Sequence, residues 1–161
     1  MSREQELQCE IERLTGELDV ARKSLVEQFY TDALSGLPNL YKLRSALEES
    51  SDFTFIVINI DNFKLLNDFY GFVVGDFILE SFAKTLIEAM PKANIFRIAG
   101  DEFAVLMKGK MSFYALKEYL KTLSSKLSHL RYAYADTEIY VDCTLASSAS
   151  FEHNDLSSKV N

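Results

Sequence analysis

Asp101 and Glu102 are adjacent carboxylates placed directly after Gly100, with apolar, strand-like residues on both sides. Held at one rigid point, two such charges repel, so their chemistry is to hold a cation or a cationic ligand. On its own the pair also reads as a solvated hairpin tip. A second polar group changes that balance. The apolar run over residues 53–64 ends in Asn59 and Asp61, two residues apart and therefore on one face of a strand. Asn67, Asp68, Gly71, Gly75 and Asp76 follow, a density of Asn, Asp and Gly that suits a backbone fitting closely around a ligand.

These groups need a scaffold, and the flanking residues supply one. Residues 94–98 and 103–107 read as two strands, with Gly100-Asp101 the turn of a hairpin. The β-branched and aromatic content of the run beginning at Phe53 reads as a buried strand, and ligand sites in α/β sheets gather at strand ends. Leu40, Leu43 and Leu47 mark a helix after Pro38 and Asn39. Phe77, Ile78, Phe82, Leu86 and Met90 mark a second that ends before Pro91, and Leu116, Leu120, Leu123 and Leu127 mark a third. A further hairpin is expected over 130–135 and 139–146, turning near Asp136 and Thr137.

The first thirty residues are a separate element. Leu7, Ile11, Leu14, Leu18, Ala21 and Leu25 recur at spacings of four and three, an a/d seam with charged residues on the remaining faces. The pattern fits a coiled coil with a second copy or an amphipathic helix folded back on the domain. The coiled coil is the preferred expectation, and it puts Cys9 at an outward f position. Composition bounds the rest. A chain of 161 residues, 48% hydrophobic and 12% aromatic, is long enough for one well-packed domain with an appendage. A net charge of −7 argues against a surface that coats nucleic acid. No apolar run approaches the roughly 20 residues of a membrane span. Cys9 and Cys143 lie far apart in unlike contexts, which suits a reducing cytoplasm better than a disulfide framework. His129 and His153 read as surface or loop residues.

Three separated motifs together resemble the GGDEF domain of diguanylate cyclases. They are Asp32-Ala33-Leu34-Ser35-Gly36-Leu37-Pro38-Asn39; the run from Asn59-Ile60-Asp61 through Phe63-Lys64, Asn67-Asp68, Tyr70-Gly71 and Gly75-Asp76 to Leu79; and Ala99-Gly100-Asp101-Glu102-Phe103. The resemblance covers about residues 31–149. It implies an α+β fold, a central antiparallel sheet flanked by helices as in nucleotidyl cyclases and polymerase palms, with residues 1–30 as a helical arm and 31–161 as the GGDEF domain. It implies condensation of two GTP molecules, one per domain of an antiparallel pair, into cyclic di-GMP and pyrophosphate. By resemblance Asp101 and Glu102 are the catalytic carboxylates. Asn59, Ile60 (through its carbonyl) and Asp101 would hold magnesium or manganese. Asn67 and Asp76 would bond guanine, and Phe63, Lys64 and Gly100 would lie with the rest of the nucleotide.

The departures from the family pattern carry as much information. Asn59 stands where the family has an Asp that ligates metal, and a hard dication loses attraction when a carboxylate becomes an amide. Ala99 stands for the first glycine of the hairpin motif and Phe72 for a usual His. Met90-Pro91-Lys92-Ala93 occupies the place of the inhibitory Arg-x-x-Asp, so feedback through that site is not expected. Residues 155–161 resemble the start of the family's last helix, whose continuation would supply basic phosphate contacts, so the chain reads as a piece of a longer protein. The expected function is a GTP-binding signalling module with weak or no cyclase activity that pairs through its N-terminal helix and regulates an attached domain such as an EAL phosphodiesterase. An active diguanylate cyclase is the alternative.

Overall fold

A computed structural model describes residues 3–49 and 52–149. Its centre is β1 (Phe53–Ile60), in which Thr54, Ile56, Ile58 and Ile60 are buried on one face while the alternate residues are half-buried on the other. Both faces are covered, as the run of apolar residues requires. The Ile56 face packs with Ile78, Phe82 and Leu86 of α4 (Phe72–Ala89) and with Leu123 and Leu127 of α5 (Phe113–Leu127). Phe53 and Phe55, on the opposite face, meet Leu43 and Leu47 of α2 (Leu40–Glu48). A four-stranded antiparallel sheet results, in the order β2-β3-β1-β6, with β2 (Asn94–Ala99), β3 (Glu102–Lys108) and β6 (Cys143–Ala149). A long helix, α1 (Arg3–Tyr30), precedes it. The architecture is the α+β arrangement expected, an antiparallel sheet with helices on both faces and an N-terminal helical arm.

Local chemistry explains the boundaries. Asn39 caps α2 by accepting hydrogen bonds from the Tyr41 and Lys42 amides at 3.0 and 3.2 Å, while its own amide group donates to the Phe29 carbonyl at 2.7 Å. One side chain thus starts α2 and ties it to the end of α1. Along α1 no residue is buried, so the helix does not fold back on the domain. Leu7, Ile11, Leu14, Leu18 and Leu25 are between 50% and 68% exposed.

Two expectations need correction. The interval of Asn, Asp and Gly after β1, to which the sequence assigned no helix, is helical. It forms α3 (Phe63–Tyr70), and α4 begins at Phe72, five residues before its first expected core residue. The expected strand over 139–146 is two strands, β5 (Thr137–Val141) and β6, divided at Asp142. Asp142 leaves the ladder because its carboxylate accepts from the His129 amide at 2.7 Å and its carbonyl from the Asp61 amide at 2.9 Å. β5 pairs with β4 (Leu130–Tyr134) in a small separate sheet, and β6 crosses to the main one. His129 is exposed, as expected; His153 and residues 155–161 lie outside the described residues. Among the described residues no helix is long and apolar enough to cross a membrane.

Candidate functional site

The sheet brings the two separated polar groups together. β1 and β3 are antiparallel, and their register sets Asn59 opposite Glu102; on the other side of β1, Thr144 of β6 also faces Asn59. The Asn59 amide group donates to Glu102 Oε1 at 3.4 Å, while Asn59 Oδ1 is buried and finds no partner among the described residues. Next along the chain, the Ile60 amide donates to the Asp101 carbonyl at 3.3 Å. Asp61 sits just beyond the strand end, exposed, and accepts from the Thr144 hydroxyl at 2.7 Å. Asn59, Ile60, Asp101 and Glu102 therefore occupy one corner of the sheet, at the end of β1 and the start of β3.

The hairpin that carries the carboxylates is braced. Gly100 takes a left-handed φ of 48°, open to glycine at little cost, and Ala99 pairs directly with Glu102 across the two-residue turn. A register shift between Arg97 and Ala99 marks a bulge before the turn. Arg97 donates from Nε and one terminal nitrogen to the Gly100 carbonyl at 2.9 and 2.8 Å. Its other terminal nitrogen reaches Asp32 Oδ1, also at 2.8 Å. Burial pulls the Asp32 carboxyl upward, but bonds from the Ser35 hydroxyl and amide and from Arg97 outweigh it and hold the group below the usual carboxylate range. This brace joins residues 65 positions apart, and sequence reading assigned no role to either partner.

Around α3 and α4 the remaining candidates separate by exposure. The Phe63 side chain is buried in the core, so any contact of this residue with a nucleotide runs through its backbone. Lys64 and Asp76 are exposed, as is Gly100. Asn62 begins α3 in a left-handed conformation and makes no side-chain cap, which leaves the first amides of α3 without a capping side chain. Asn67 lies on the inner side of α3 with its Oδ1 buried and unpartnered, and its carbonyl accepts from the Gly71 amide at 2.8 Å. Phe72 and Phe69 are 78% and 80% exposed at the α3–α4 corner.

The donor set suits a hard cation in kind. Asn59 Oδ1 is an orphaned oxygen donor, and Asp101 and Glu102 supply carboxylates beside it. Its charge is modest, however: no group of three or more acidic, His or Cys side chains placed to hold a metal occurs among the described residues. A cavity of about 730 Å3 runs along Lys42, Met90, Pro91 and Phe96 and includes none of the candidate residues. The candidate residues Asn59, Ile60, Asp101 and Glu102 lie outside it, at the strand ends.

Comparison with known proteins finds similarity in both sequence and fold. The sequence model described as the diguanylate cyclase GGDEF domain matches residues 29–160. The diguanylate cyclase DgcP of Pseudomonas aeruginosa is 30% identical over 139 residues, 81% of this chain and 20% of the relative. The diguanylate cyclase DgcS of Shewanella oneidensis is 36% identical over 89 residues, 50% of this chain and 30% of the relative. The chain thus spans a third or less of the length of these curated relatives. Among solved structures, the coiled coil and GGDEF domain of DgcB from Caulobacter crescentus, in complex with c-di-GMP, superposes with a TM-score of 0.72. It is 19% identical, and the match covers 95% of this chain and 87% of that one. At that identity the likeness shows the fold, including its long N-terminal helix.

Proposed function

The chain belongs to the GGDEF domain family of diguanylate cyclases, and from that membership we propose a GTP-binding signalling module whose own cyclase activity is weak or absent. The observation that carries this reading is the contact between Asn59 and Glu102. With Asp at position 59, two carboxylates would face each other across neighbouring strands and their repulsion would be relieved by a dication. Asn59 removes that repulsion by donating a hydrogen bond to Glu102, so the pair is stable without metal. A magnesium or manganese ion, when bound by Asn59 Oδ1, the Ile60 carbonyl and Asp101, would neutralise triphosphate charge and lower the pKa of the attacking hydroxyl. Asn59 weakens the hold on that ion while leaving the oxygen donor in place.

Nucleotide recognition rests on separate residues. Asn67, whose amide group carries both a donor and an acceptor, and the exposed carboxylate of Asp76 together suit guanine's acceptor and donor groups. The uncapped amides at the start of α3 and the exposed Lys64 suit phosphate. The exposed apolar seam of α1 supports pairing with a second copy, and the relatives' greater length supports control of an attached domain, such as an EAL phosphodiesterase. An active cyclase is the second reading, favoured by the retention of Asp101, Glu102 and Lys64 and by the orphaned oxygen of Asn59.

One experiment separates the two. Full-length protein is incubated with GTP and magnesium or manganese, and both bound GTP and cyclic di-GMP are measured, for the natural sequence and for Asn59→Asp. We expect bound GTP with little product, and a gain of about tenfold or more in product for Asn59→Asp, equivalent to about 1.4 kcal/mol of barrier. Without nucleotide, magnesium should raise the melting temperature of Asn59→Asp and leave the natural protein unchanged. Robust turnover by the natural protein would establish the cyclase reading instead.

A further inference from the structure

The segment from the end of β3 through α5 reverses the charge of the rest of the chain. Between residues 108 and 126 stand five lysines and one glutamate, in a chain whose net charge is −7. Lys108 closes β3, Lys110 lies in the link to α5, and Lys117, Lys121 and Lys126 are on α5 itself. All five are exposed, and Lys110 shares its charge with Asp52 at 3.0 Å. Leu116, Leu123 and Leu127 turn one side of α5 into the core. Lys117 and Lys121, four residues apart, share an outward face.

Two aromatic rings stand among these charges. Phe113 and Tyr114, at the start of α5, are 66% and 78% exposed, and their rings meet edge to face with 5.8 Å between centroids. Neither belongs to the packed core. Exposed rings beside lysines suit the boundary of a phospholipid bilayer, with the rings at headgroup level and the ammonium groups at lipid phosphates. Composition separates this occupant from others. Nucleic-acid and protein partners favour arginine, for its planar bidentate fork and weaker hydration, and protein interfaces are depleted in lysine. Residues 108–126 contain no arginine. Position agrees, because β3 runs from Glu102 at the candidate site to Lys108, which sets the two ends about 20 Å apart. The exposed Phe69 and Phe72 are neighbours in the chain of Asp68 and Asp76 instead, where an anionic surface would be repelled.

We propose that Lys108, Lys110, Phe113, Tyr114, Lys117 and Lys121 form a docking surface for an anionic phospholipid membrane, which the domain meets peripherally with its carboxylate corner at the far end of the sheet. Attraction of this kind is weak for each lysine and screened by salt, so the contact is reversible and salt-sensitive. The surface lies apart from the nucleotide residues, and docking does not require GTP.

The test sediments full-length protein with vesicles of phosphatidylcholine alone or with about a third phosphatidylglycerol, at low and at higher salt. Single-stranded RNA is titrated in parallel. Binding is expected to the phosphatidylglycerol vesicles alone and should weaken as salt rises. Lys117→Glu with Lys121→Glu should lower that binding about tenfold or more. Phe113→Ala with Tyr114→Ala should lower it about tenfold and keep the salt dependence. Arg44→Glu with Lys84→Glu makes the same change in net charge at exposed positions outside this surface and should change binding little. Residues 1–161 contain no tryptophan, so Phe113→Trp places a reporter on the surface, and its emission should shift to the blue with the anionic vesicles only. Equal binding to both vesicle types, binding to neither, or an equal loss in the control pair would overturn the proposal. So would tighter binding to the RNA than to the anionic vesicles, lost in the same lysine variants. Should a multiple variant fail to fold, Phe113→Trp still decides, since protein that binds with unchanged emission docks through another surface.

Discussion

At the hairpin Arg97 is gripped from two sides by its own chain, by Asp32 and by the Gly100 carbonyl, and is only 10% exposed. Along α1, five seam residues of the same domain boundary region stay half-exposed or more. Both regions flank the motif that begins at Asp32, yet one has its partners within the chain and the other presents an unfilled seam. The hairpin is therefore fixed whenever the chain folds, whereas the state of α1 depends on what meets it. That division suits a signalling module, in which the chemistry is preorganised and the input element is free to pair.

The largest effect is expected from removing the brace. Arg97→Ala leaves the Asp32 carboxylate and the Gly100 carbonyl without their donor, and breaking a mostly buried ion pair costs about 3 kcal/mol. Denaturant unfolding should show that loss, and a loss near zero would mean the hairpin is held by its strands alone. The brace also has a pH signature. Because the folded-state pKa of Asp32 is depressed, its contribution is fully present above the unfolded carboxylate value and is lost as pH falls through the folded one. The stability gap between the natural protein and Asp32→Asn should therefore close as pH falls below about 4.

How much of this was legible in the sequence follows the same contrast. The helical period of α1, the apolar run of β1 and the Gly100-Asp101 turn are local patterns, and a helix, a buried strand and a hairpin appear where their residues indicated. The α3 helix was hidden because it is short, begins at a left-handed Asn62 and carries Asn67 and Asp68, residue types that favour turns. The division of β5 from β6 was hidden because Asp142 is drawn out of the ladder by His129 and Asp61, which are 13 and 81 positions away along the chain. The motif residues of the site could be named, but not the Arg97–Asp32 brace, since it depends on elements that meet only in three dimensions. Phe63 shows the converse: its position in the motif was plain, but its side chain belongs to the core.

A second, smaller effect tests the other side of the comparison. If α1 pairs with a second copy, Leu14→Asp places a charge in the middle of the seam and removes a leucine from each helix. Burying a leucine contributes about 1.5–3 kcal/mol, so the dimer dissociation constant should rise about a hundredfold or more. Sedimentation analysis would read the change, while the melting temperature of the isolated protomer should stay as it was, because Leu14 touches no core. A natural protein that sediments as a monomer at high concentration would break the comparison, and the seam would then await a different partner.

The smallest effect is a rate that should not change. Cys143 on β6 is half-buried, donates to the Leu127 carbonyl at 3.6 Å, and has its thiol pushed up to about 11, first by burial and then by the charges of Asp61 and Asp142. Near pH 8 about one thousandth of it is thiolate, the form that reacts with alkylating agents. Cys9 is exposed on α1 and lies at the outward position of the seam. Pulsed alkylation followed by mass spectrometry should therefore label Cys9 quickly and Cys143 slowly, and unfolding should bring Cys143 into play. The comparison sharpens when the same labelling is done with Leu14→Asp. Pairing through the seam leaves the outward face open, so Cys9 should react at the same rate in dimer and monomer. Protection of Cys9 that Leu14→Asp relieves would place the interface on another face of α1, while slow labelling with no dependence on Leu14 would show that something besides a second copy covers the helix.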